Sequence, residues 1–353
     1  MTHWINIPSV KYKPSNLMRS IYLKLLLIVT AGFPFFNTTN AQNYYVAGTE
    51  QTETNGIAKT WHNGKAVSLT NGTKNAEATS IAVSGKDIYA VGYEKNTQYN
   101  VATYWKNGVA VMLGTGLNFS NATSIVVSGI NVFVAGVEYA KVNGKTMYFA
   151  KYWKNGKGIN LTKGIGRPNA LSIAVSGNDI YVSGSEPNAV QMDVAKYWKN
   201  GVEVILSDGS NPAMATSIAV SGANVFISGV EFTGRTSIVK YWRNGVETKL
   251  TDGSKYAMGS SIAVSGNDIY VAGFETNDSV KVAKYWLNGT AVVLSDGTKK
   301  AEASSIVVVG SDVYASGYVN NGAVDVATCW INGKAIAISD GKLNGYGNGI
   351  AVK

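Results

Sequence analysis

Six glutamates recur along the chain, each just after a short apolar segment, and a seventh equivalent position carries valine. These positions are Glu50, Glu94, Glu138, Glu186, Glu231, Glu275 and Val319. A ring of carboxylates could hold a cation or perform acid–base chemistry. Most of the same units also carry a lysine two residues before a tryptophan, at Lys59, Lys151, Lys196, Lys240 and Lys284. The pattern therefore favours cross-strand Glu–Lys pairs, which stabilise a sheet, over a catalytic ring.

Two units depart from this pairing. The unit with Val319 has Thr328 at the lysine position, so it lacks both partners, as a purely structural pair would predict. The unit with Glu94 keeps the acid but has Thr103 at the lysine position. Among the six glutamates, Glu94 is thus the one that we expect to be available to a ligand.

Other reactive residue types are scarce. Cys329 is the single cysteine, and His3 and His62 are the two histidines. The chain therefore cannot form an intramolecular disulfide or a thiolate metal site, and histidine-based catalysis has almost no residues to use. Asp-Gly pairs such as Asp208-Gly209 are typical of turns, and neither a calcium loop nor a Gly-x-Ser-x-Gly or phosphate-binding motif is present. We predict no catalytic residue, no metal site and no cofactor.

The composition is that of a protein built from short strands. Among 353 residues, glycine is abundant (39), proline is scarce (6), charged residues make up 15%, and there are 20 tyrosines and 8 tryptophans. The net charge of +9 is spread along the chain without a long run of lysine or arginine. We therefore expect neither disorder nor nucleic-acid binding.

Two strings repeat along the chain. The tryptophan of a Tyr-Trp-Lys-Asn-Gly-like string returns every 44 to 48 residues, at Trp61, Trp105, Trp153, Trp198, Trp242, Trp286 and Trp330. An Asn-Gly pair, which favours a two-residue hairpin turn with positive φ, follows each tryptophan. The second string, Ser-Ile-Ala-Val-Ser-Gly or a close variant, starts at Ser80, Ser124, Ser172, Ser217, Ser261 and Ser305. Units of this length with four short strands are typical of a β-propeller blade.

The repeat is split between the two ends of the repeat region. Residues 217–253 hold one whole unit, but the region begins at Tyr44–Gly48 with a second strand and ends at Ile350–Val352 with a first strand. Pairing these ends completes one more blade and removes an exposed sheet edge. The sequence therefore predicts an all-β, seven-bladed β-propeller over residues 42–353, with four antiparallel strands per blade and the tryptophans packed between blades.

The repeats resemble those of bacterial exported seven-bladed propellers, in the broad class that holds WD40, kelch and YVTN-type repeats. The resemblance rests on Ser-Ile-Ala-Val-Ser-Gly-Asn-Asp-Ile-Tyr-Val-Ala-Gly (residues 261–273) and Val-Ala-Lys-Tyr-Trp (residues 282–286). The Gly-His and Trp-Asp signatures of WD40 blades and the kelch double glycine are absent. The resemblance implies an architecture and not a reaction, because propellers support many activities.

Residues 1–41 predict a secretory signal peptide. Arg19 and Lys24 precede the apolar segment Leu25–Phe36, and small and polar residues follow as far as Ala41. This is the tripartite plan of a signal peptide, and the apolar run is short for a membrane span. Met18 is an alternative start, with residues 1–17 as an upstream extension. We expect export to the periplasm or the cell exterior and a mature N-terminus at Gln42.

The segments between the second and third strands differ from unit to unit, and the one spanning Tyr139–Tyr148 is the longest. Variable loops on a regular scaffold usually carry binding. The candidate binding residues are Glu94, Glu138, Tyr139, Lys141, Lys145 and Tyr148. We expect a monomeric, non-enzymatic binding or scaffold module that engages a protein or glycan through this variable-loop face. The alternative is a carbohydrate-active hydrolase or lyase that uses carboxylates near the propeller axis.

Overall fold

The described part of the chain is an all-β ring. A computed structural model describes residues 42–353, and the signal peptide expected at residues 1–41 lies outside the described residues. The described residues form 28 strands in seven four-stranded antiparallel sheets, which are the blades. No helix within residues 42–353 has the length and apolarity to cross a membrane. The predicted seven-bladed β-propeller is confirmed.

The blades follow one another along the chain. Blade 1 comprises β1 (Tyr44–Gln51), β2 (Gly56–His62), β3 (Lys65–Ser68) and β28 (Asn344–Val352). Blade 2 comprises β4 (Ala76–Ser84), β5 (Asp87–Lys95), β6 (Asn100–Lys106) and β7 (Val109–Met112). Blade 3 comprises β8 (Ser120–Ser128), β9 (Asn131–Val142), β10 (Lys145–Lys154) and β11 (Lys157–Asn160). Blade 4 comprises β12 (Asn169–Ser176), β13 (Asp179–Pro187), β14 (Asp193–Lys199) and β15 (Val202–Ile205).

The last three blades repeat the same order. Blade 5 comprises β16 (Ala213–Ser221), β17 (Asn224–Thr233), β18 (Thr236–Arg243) and β19 (Val246–Lys249). Blade 6 comprises β20 (Ala257–Ser265), β21 (Asp268–Asn277), β22 (Val280–Leu287) and β23 (Thr290–Val293). Blade 7 comprises β24 (Ala301–Val309), β25 (Asp312–Asn320), β26 (Asp325–Ile331) and β27 (Lys334–Ala337).

Blade 1 closes the ring by joining the two ends of the described chain. The sheet order β28-β1-β2-β3 places β28 as the innermost strand, and its register runs from Tyr44 opposite Val352 to Gln51 opposite Asn344. Asn43 and Lys353 continue the ladder with two backbone hydrogen bonds of 2.9 Å. The pairing of the two ends that the split repeat predicts is therefore present. Blade 1 takes one strand from the end of the repeat region and three from its beginning.

The recurring Asn-Gly pairs close the hairpins between third and fourth strands. In blade 2, Asn107 and Gly108 have φ values of 51° and 83°. The Asn107 Oδ1 atom accepts a hydrogen bond from the Ile88 backbone N–H at 2.9 Å, and its Nδ2 atom donates to Asp87 Oδ1 at 2.8 Å. Equivalent bonds recur in the other blades. The uniform sequence of this face is thus explained by turn structure.

Each innermost strand carries a β-bulge opposite a glycine. In blade 2 the extra residue is Thr79, and its hydroxyl lies 3.0 Å from the carbonyl oxygen of Val91 in its own blade and 3.0 Å from that of Ala122 in blade 3. A Cβ atom on Gly92, in the neighbouring strand, would clash with the Glu77 carbonyl oxygen. The equivalent glycines are Gly48, Gly136, Gly184, Gly229, Gly273 and Gly317. Bulge and glycine together bring the inner strands close to one another around the axis.

The hydrophobic core lies between blades. Trp105 of blade 2 packs with Ile81 of the same blade and with Ala47 and Ala58 of blade 1, and the same kind of cluster recurs around the ring. All seven repeat tryptophans are buried. The prediction that they pack between blades is confirmed, since large aromatic side chains fill the widening outer part of each gap.

Two details of the local structure differ from the sequence prediction. The unit predicted over residues 217–253 starts at Ser217, but β16, its innermost strand, already begins at Ala213. The segment Tyr139–Tyr148 was expected to be a loop, but β9 and β10 extend through it and leave only Asn143-Gly144 as a turn, with φ values of 51° and 77°. An Asn-Gly pair favours a tight hairpin here for the same reason as in the repeat turns.

Candidate binding site

The repeated glutamates form the predicted pairs. Every glutamate whose unit has the lysine makes an ion pair with it: Glu50–Lys59, Glu138–Lys151, Glu186–Lys196, Glu231–Lys240 and Glu275–Lys284. Lys196 also binds Glu203 at 2.9 Å. Burial lowers the pKa of Lys196, but the Glu203 and Glu186 carboxylates outweigh it, so its pKa is raised. These five glutamates are therefore structural partners, as expected.

Glu94 lies apart from this pattern. The Thr103 side chain that replaces the lysine is buried, and its hydroxyl donates to the Val101 carbonyl oxygen at 2.9 Å. Within residues 42–353 no hydrogen bond or ion pair reaches the half-buried Glu94 carboxylate. Glu94 lines an open cleft of about 610 Å³ between blades 1 and 2.

An aromatic platform lies at the base of the blade 3 hairpin, on the variable-loop face. Phe119 and Tyr139 stack with ring centroids 4.5 Å apart and an interplanar angle of 21°, and Tyr148 meets Tyr139 edge-on at 4.3 Å. Tyr99, from blade 2, lines a groove of about 120 Å³ with Phe119 and Tyr139. We call Tyr99, Phe119, Tyr139 and Tyr148 the aromatic platform.

Cationic groups surround this platform. Lys141 also lines the groove, Lys145 is exposed near the hairpin tip, and the Arg167 guanidinium lies 5.3 Å from the centroid of the Tyr148 ring. Glu138, at the start of the extension, is held by Lys151. Burial raises the pKa of the Tyr139 hydroxyl, so the phenol is a neutral donor near pH 7. The structure thus brings Tyr139, Tyr148 and Lys141 together and places Lys145 nearby, with Glu138 committed to its ion pair.

A second polar region, which the sequence analysis missed, lies at the start of the innermost strands. The residue three positions before the repeated serine, or before Gly349 in blade 1, differs from blade to blade: Tyr346, Glu77, Asn121, Asn169, Met214, Met258 and Glu302 in blades 1 to 7. The residues on either side of it are small in nearly every blade. Alignment of the seven repeats three residues upstream of the serine string would have revealed this variable position.

Blades 6, 7 and 1 form a hydrogen-bonded network there. The Tyr346 hydroxyl donates to Asp325 Oδ2 at 3.2 Å, and the Lys281 ammonium lies 2.8 Å from Glu302 Oε2. Tyr318 packs edge-on against Tyr346 with centroids 5.4 Å apart, and burial raises its pKa above the ordinary value. Both carboxylates of this network are therefore paired with lysines, Glu302 with Lys281 and Asp325 with Lys300 at 2.9 Å.

Glu77 occupies the corresponding strand position in blade 2. Within residues 42–353, no lysine lies within ion-pair distance of its carboxylate. It accepts a hydrogen bond from Asn348 Nδ2 at 3.2 Å. Burial raises the pKa of Glu77, and a hydrogen bond from Tyr93 lowers it in part. Because the folded-state pKa of this acid is raised, its ionised form destabilises the ring above that pKa, and protonation at lower pH removes the cost.

Glu77→Gln is therefore expected to raise the melting temperature at about pH 8, where the wild-type carboxylate is ionised, and to have little effect at about pH 4. Thermal unfolding at both pH values measures this difference. Glu302→Gln is the matched control and should destabilise at pH 8, because it breaks the pair with Lys281. A Glu77→Gln variant that is less stable than wild type at pH 8 would contradict the assignment.

The described residues offer little for covalent or metal chemistry. Cys329 is buried, and burial raises the pKa of its thiol to about 12, so it is not a thiolate nucleophile at neutral pH. Within residues 42–353, no three His, Cys, Asp or Glu side chains group as metal ligands. The central channel is lined by serine and threonine hydroxyls, which belong mostly to the bulged inner strands.

Comparisons with known proteins support the fold alone. No protein-family model matches the chain, and no curated protein matches it. Among solved structures, a puromycin-hydrolysing peptidase of Mycobacterium tuberculosis superposes with a TM-score of 0.56 at 10% identity, covering 85% of this chain and 53% of the peptidase. An acylaminoacyl peptidase superposes with a TM-score of 0.51 at 13% identity, covering 86% of this chain and 51% of that one. The chain spans about half the length of these peptidases.

The β-propeller domain of the Trilobed protease from Pyrococcus furiosus is similar over nearly its whole length. The TM-score is 0.53 at 12% identity, with 84% of this chain and 95% of that domain covered. That domain is described as having an open velcro topology, whereas β28 and β1 are paired here. At these identities the similarity defines a class by fold, the β-propellers, and the present chain is a seven-bladed member closed by strand exchange.

Proposed function

We propose that this protein is an exported, non-enzymatic binding module that engages its partner through the variable-loop face. The observation that carries the proposal is the aromatic platform, which interrupts an otherwise regular ring. Tyr99 is exposed and the other three side chains are half-buried. Aromatic side chains that line a groove beside a few polar groups are typical of recognition surfaces. Of the two ligand classes expected from sequence, protein and glycan, the platform favours a glycan, since sugar rings present apolar faces that stack on aromatic rings.

Charge supports an acidic glycan. Lys141, Lys145 and Arg167 surround the platform, while Glu138 is neutralised by Lys151. Carboxylate or sulfate groups on the sugar would meet lysine ammonium groups and a guanidinium. The export expected from residues 1–41 is part of the proposal, since extracellular glycans would be accessible to an exported protein. N-terminal sequencing of exported protein tests cleavage before Gln42.

Substitution at the platform tests this function. Phe119→Ala and Tyr139→Ala are expected to weaken binding of an acidic oligosaccharide on a glycan array by about tenfold each, the scale of one lost aromatic contact. Tyr256→Ala is the matched control, because Tyr256 precedes the inner strand of blade 6 just as Phe119 precedes that of blade 3. Binding that Phe119→Ala and Tyr139→Ala leave unchanged would contradict the proposal, as would binding insensitive to salt.

A carbohydrate-active hydrolase or lyase is the second candidate. The observation that favours it is the pair of carboxylates on inner strands, Glu77 in β4 and Glu302 in β24, together with Asp325, which begins β26 and accepts a hydrogen bond from Tyr346 of the inner strand of blade 1. Release of reducing sugar from a polysaccharide by the purified protein, lost in Glu77→Gln, would support this candidate over the binding module. Retention of the glycan without turnover supports the binding module.

A further inference from the structure

The cleft between blades 1 and 2 is lined by polar groups and a single acid. Its walls are Ser68, Leu69, Thr70, Asn71, Thr73 and Lys74 from blade 1 and its link, together with Glu94 from blade 2. Lys74 is exposed at the rim and is not within ion-pair distance of Glu94. The cleft therefore presents a carboxylate that has no cationic partner within the described part of the chain.

The equivalent glutamates in the other blades show what a carboxylate at this position binds. All five glutamates whose unit carries the lysine bind an ammonium group supplied by the third strand of their own blade. The corresponding cleft between blades 3 and 4 is about 400 Å³, and Lys196 lines it beside Glu186. At blade 2 no lysine fills the cleft, because Thr103 ends its side chain at a hydroxyl bonded to Val101.

The side chains that line the cleft indicate which class of ligand it binds. In the cleft between blades 3 and 4, Leu161 lines the wall together with Lys196 and Glu186, and Leu161 corresponds to Leu69. An alkylammonium ligand in the cleft between blades 1 and 2 would have Leu69 available for an apolar contact and Glu94 for its ammonium group. An ammonium group can donate three hydrogen bonds and pairs well with a carboxylate, whereas a neutral hydroxyl would leave the charge of Glu94 uncompensated.

We propose that this cleft binds a primary alkylammonium group in the place that lysine occupies in the other blades. The group is carried by a free aliphatic amine or by the lysine side chain of an extended peptide. This site goes beyond the glycan-binding function, since it uses a different cleft and the opposite charge. Its lining combines the Glu94 carboxylate, the Leu69 side chain and the hydroxyl groups of Ser68, Thr70 and Thr73.

Binding of small amines tests the proposal directly. Saturation-transfer NMR on the purified protein should detect n-butylammonium and 1,4-diaminobutane with millimolar affinity, the scale of one charge-assisted hydrogen bond plus a short alkyl contact. The neutral isostere n-butanol should not bind. Glu94→Gln should weaken amine binding about tenfold or more, because it removes the charge and keeps the shape. No detectable binding of either amine to wild type would overturn the proposal.

A variant whose own side chain fills the cleft provides a second test. Thr103→Lys restores the residue present in five other blades, so it should fold at least as stably as wild type and abolish amine binding. The double variant Val319→Glu with Thr328→Lys introduces the same pair in blade 7 and should leave amine binding unchanged. Amine binding retained by Thr103→Lys would overturn the proposal, whatever the outcome on the glycan array.

The two sources of the ammonium group are distinguished by competition. Nα-acetyl-lysine amide and 1,4-diaminobutane are titrated separately against wild type and Glu94→Gln. Tighter binding of the lysine derivative identifies a peptide lysine as the ligand, and tighter binding of the diamine identifies a free aliphatic amine. Equal loss of both in Glu94→Gln supports the shared site, and persistence of both in that variant contradicts it.

Discussion

Deleting residues 344–353 is expected to abolish cooperative folding of the entire ring, or to lower its melting temperature by about 10 °C or more. The deletion removes β28, which supplies the innermost strand of blade 1 and pairs with β1 over its whole length. The buried side chain of Ile350 and the glycine backbone of this strand pack against blades 7 and 2. Without β28 the inner edge of β1 is exposed and both neighbouring gaps lose packing.

A circular permutant is the control for this deletion. Because Asn43 and Lys353 already exchange backbone hydrogen bonds of 2.9 Å, a short linker can join them, with new ends opened between Gly209 and the exposed Ser210 in the link from β15 to β16. The permutant keeps every strand and should retain most of the stability. A synthetic peptide of residues 343–353 should also restore cooperative unfolding to the truncated protein. An unchanged melting temperature after the deletion alone would contradict closure by strand exchange.

Gly273→Ala is expected to destabilise the protein by about 3 kcal/mol, at the upper end of overpacking effects. A Cβ atom at this position would clash with the Met258 carbonyl oxygen, which is part of the bulged inner strand and cannot move as a flexible side chain can. Relief would require moving β20 away from β21, which would disturb the packing of blade 6 on blade 5. Urea unfolding should show a lower midpoint with an unchanged m-value.

Gly266→Ala is the matched control in the same blade. Gly266 lies in the turn between β20 and β21 with a φ of 59°, and a Cβ atom there would meet no other atom within 4 Å. Its substitution should cost about 1 kcal/mol, the price of a left-handed conformation for alanine. If both variants lost the same stability, the close approach at the bulge would not be the reason for the repeated glycine.

The sequence determined the architecture because the same pattern of strands and turns recurs in seven units. The spacing of the tryptophans, the Asn-Gly turns and the split unit were sufficient to predict blade number, strand order and closure, since each reflects a local rule of strands and turns. The Glu–Lys pairs were predictable for the same reason, as two positions on neighbouring strands vary together from unit to unit. Glu94 was identified as the exception because its partner position carries Thr103.

Only the tertiary structure decided what surrounds these residues. The aromatic platform joins Tyr99 of blade 2, Phe119 of a link and Tyr139 of blade 3. The cleft between blades 1 and 2 places Glu94 beside residues of the preceding blade. Contacts between blades depend on how two sheets face each other, and a repeat pattern within one blade carries no record of that geometry. The free carboxylate was therefore visible in the sequence, whereas the leucine-walled cleft that could admit an ammonium group beside it was not.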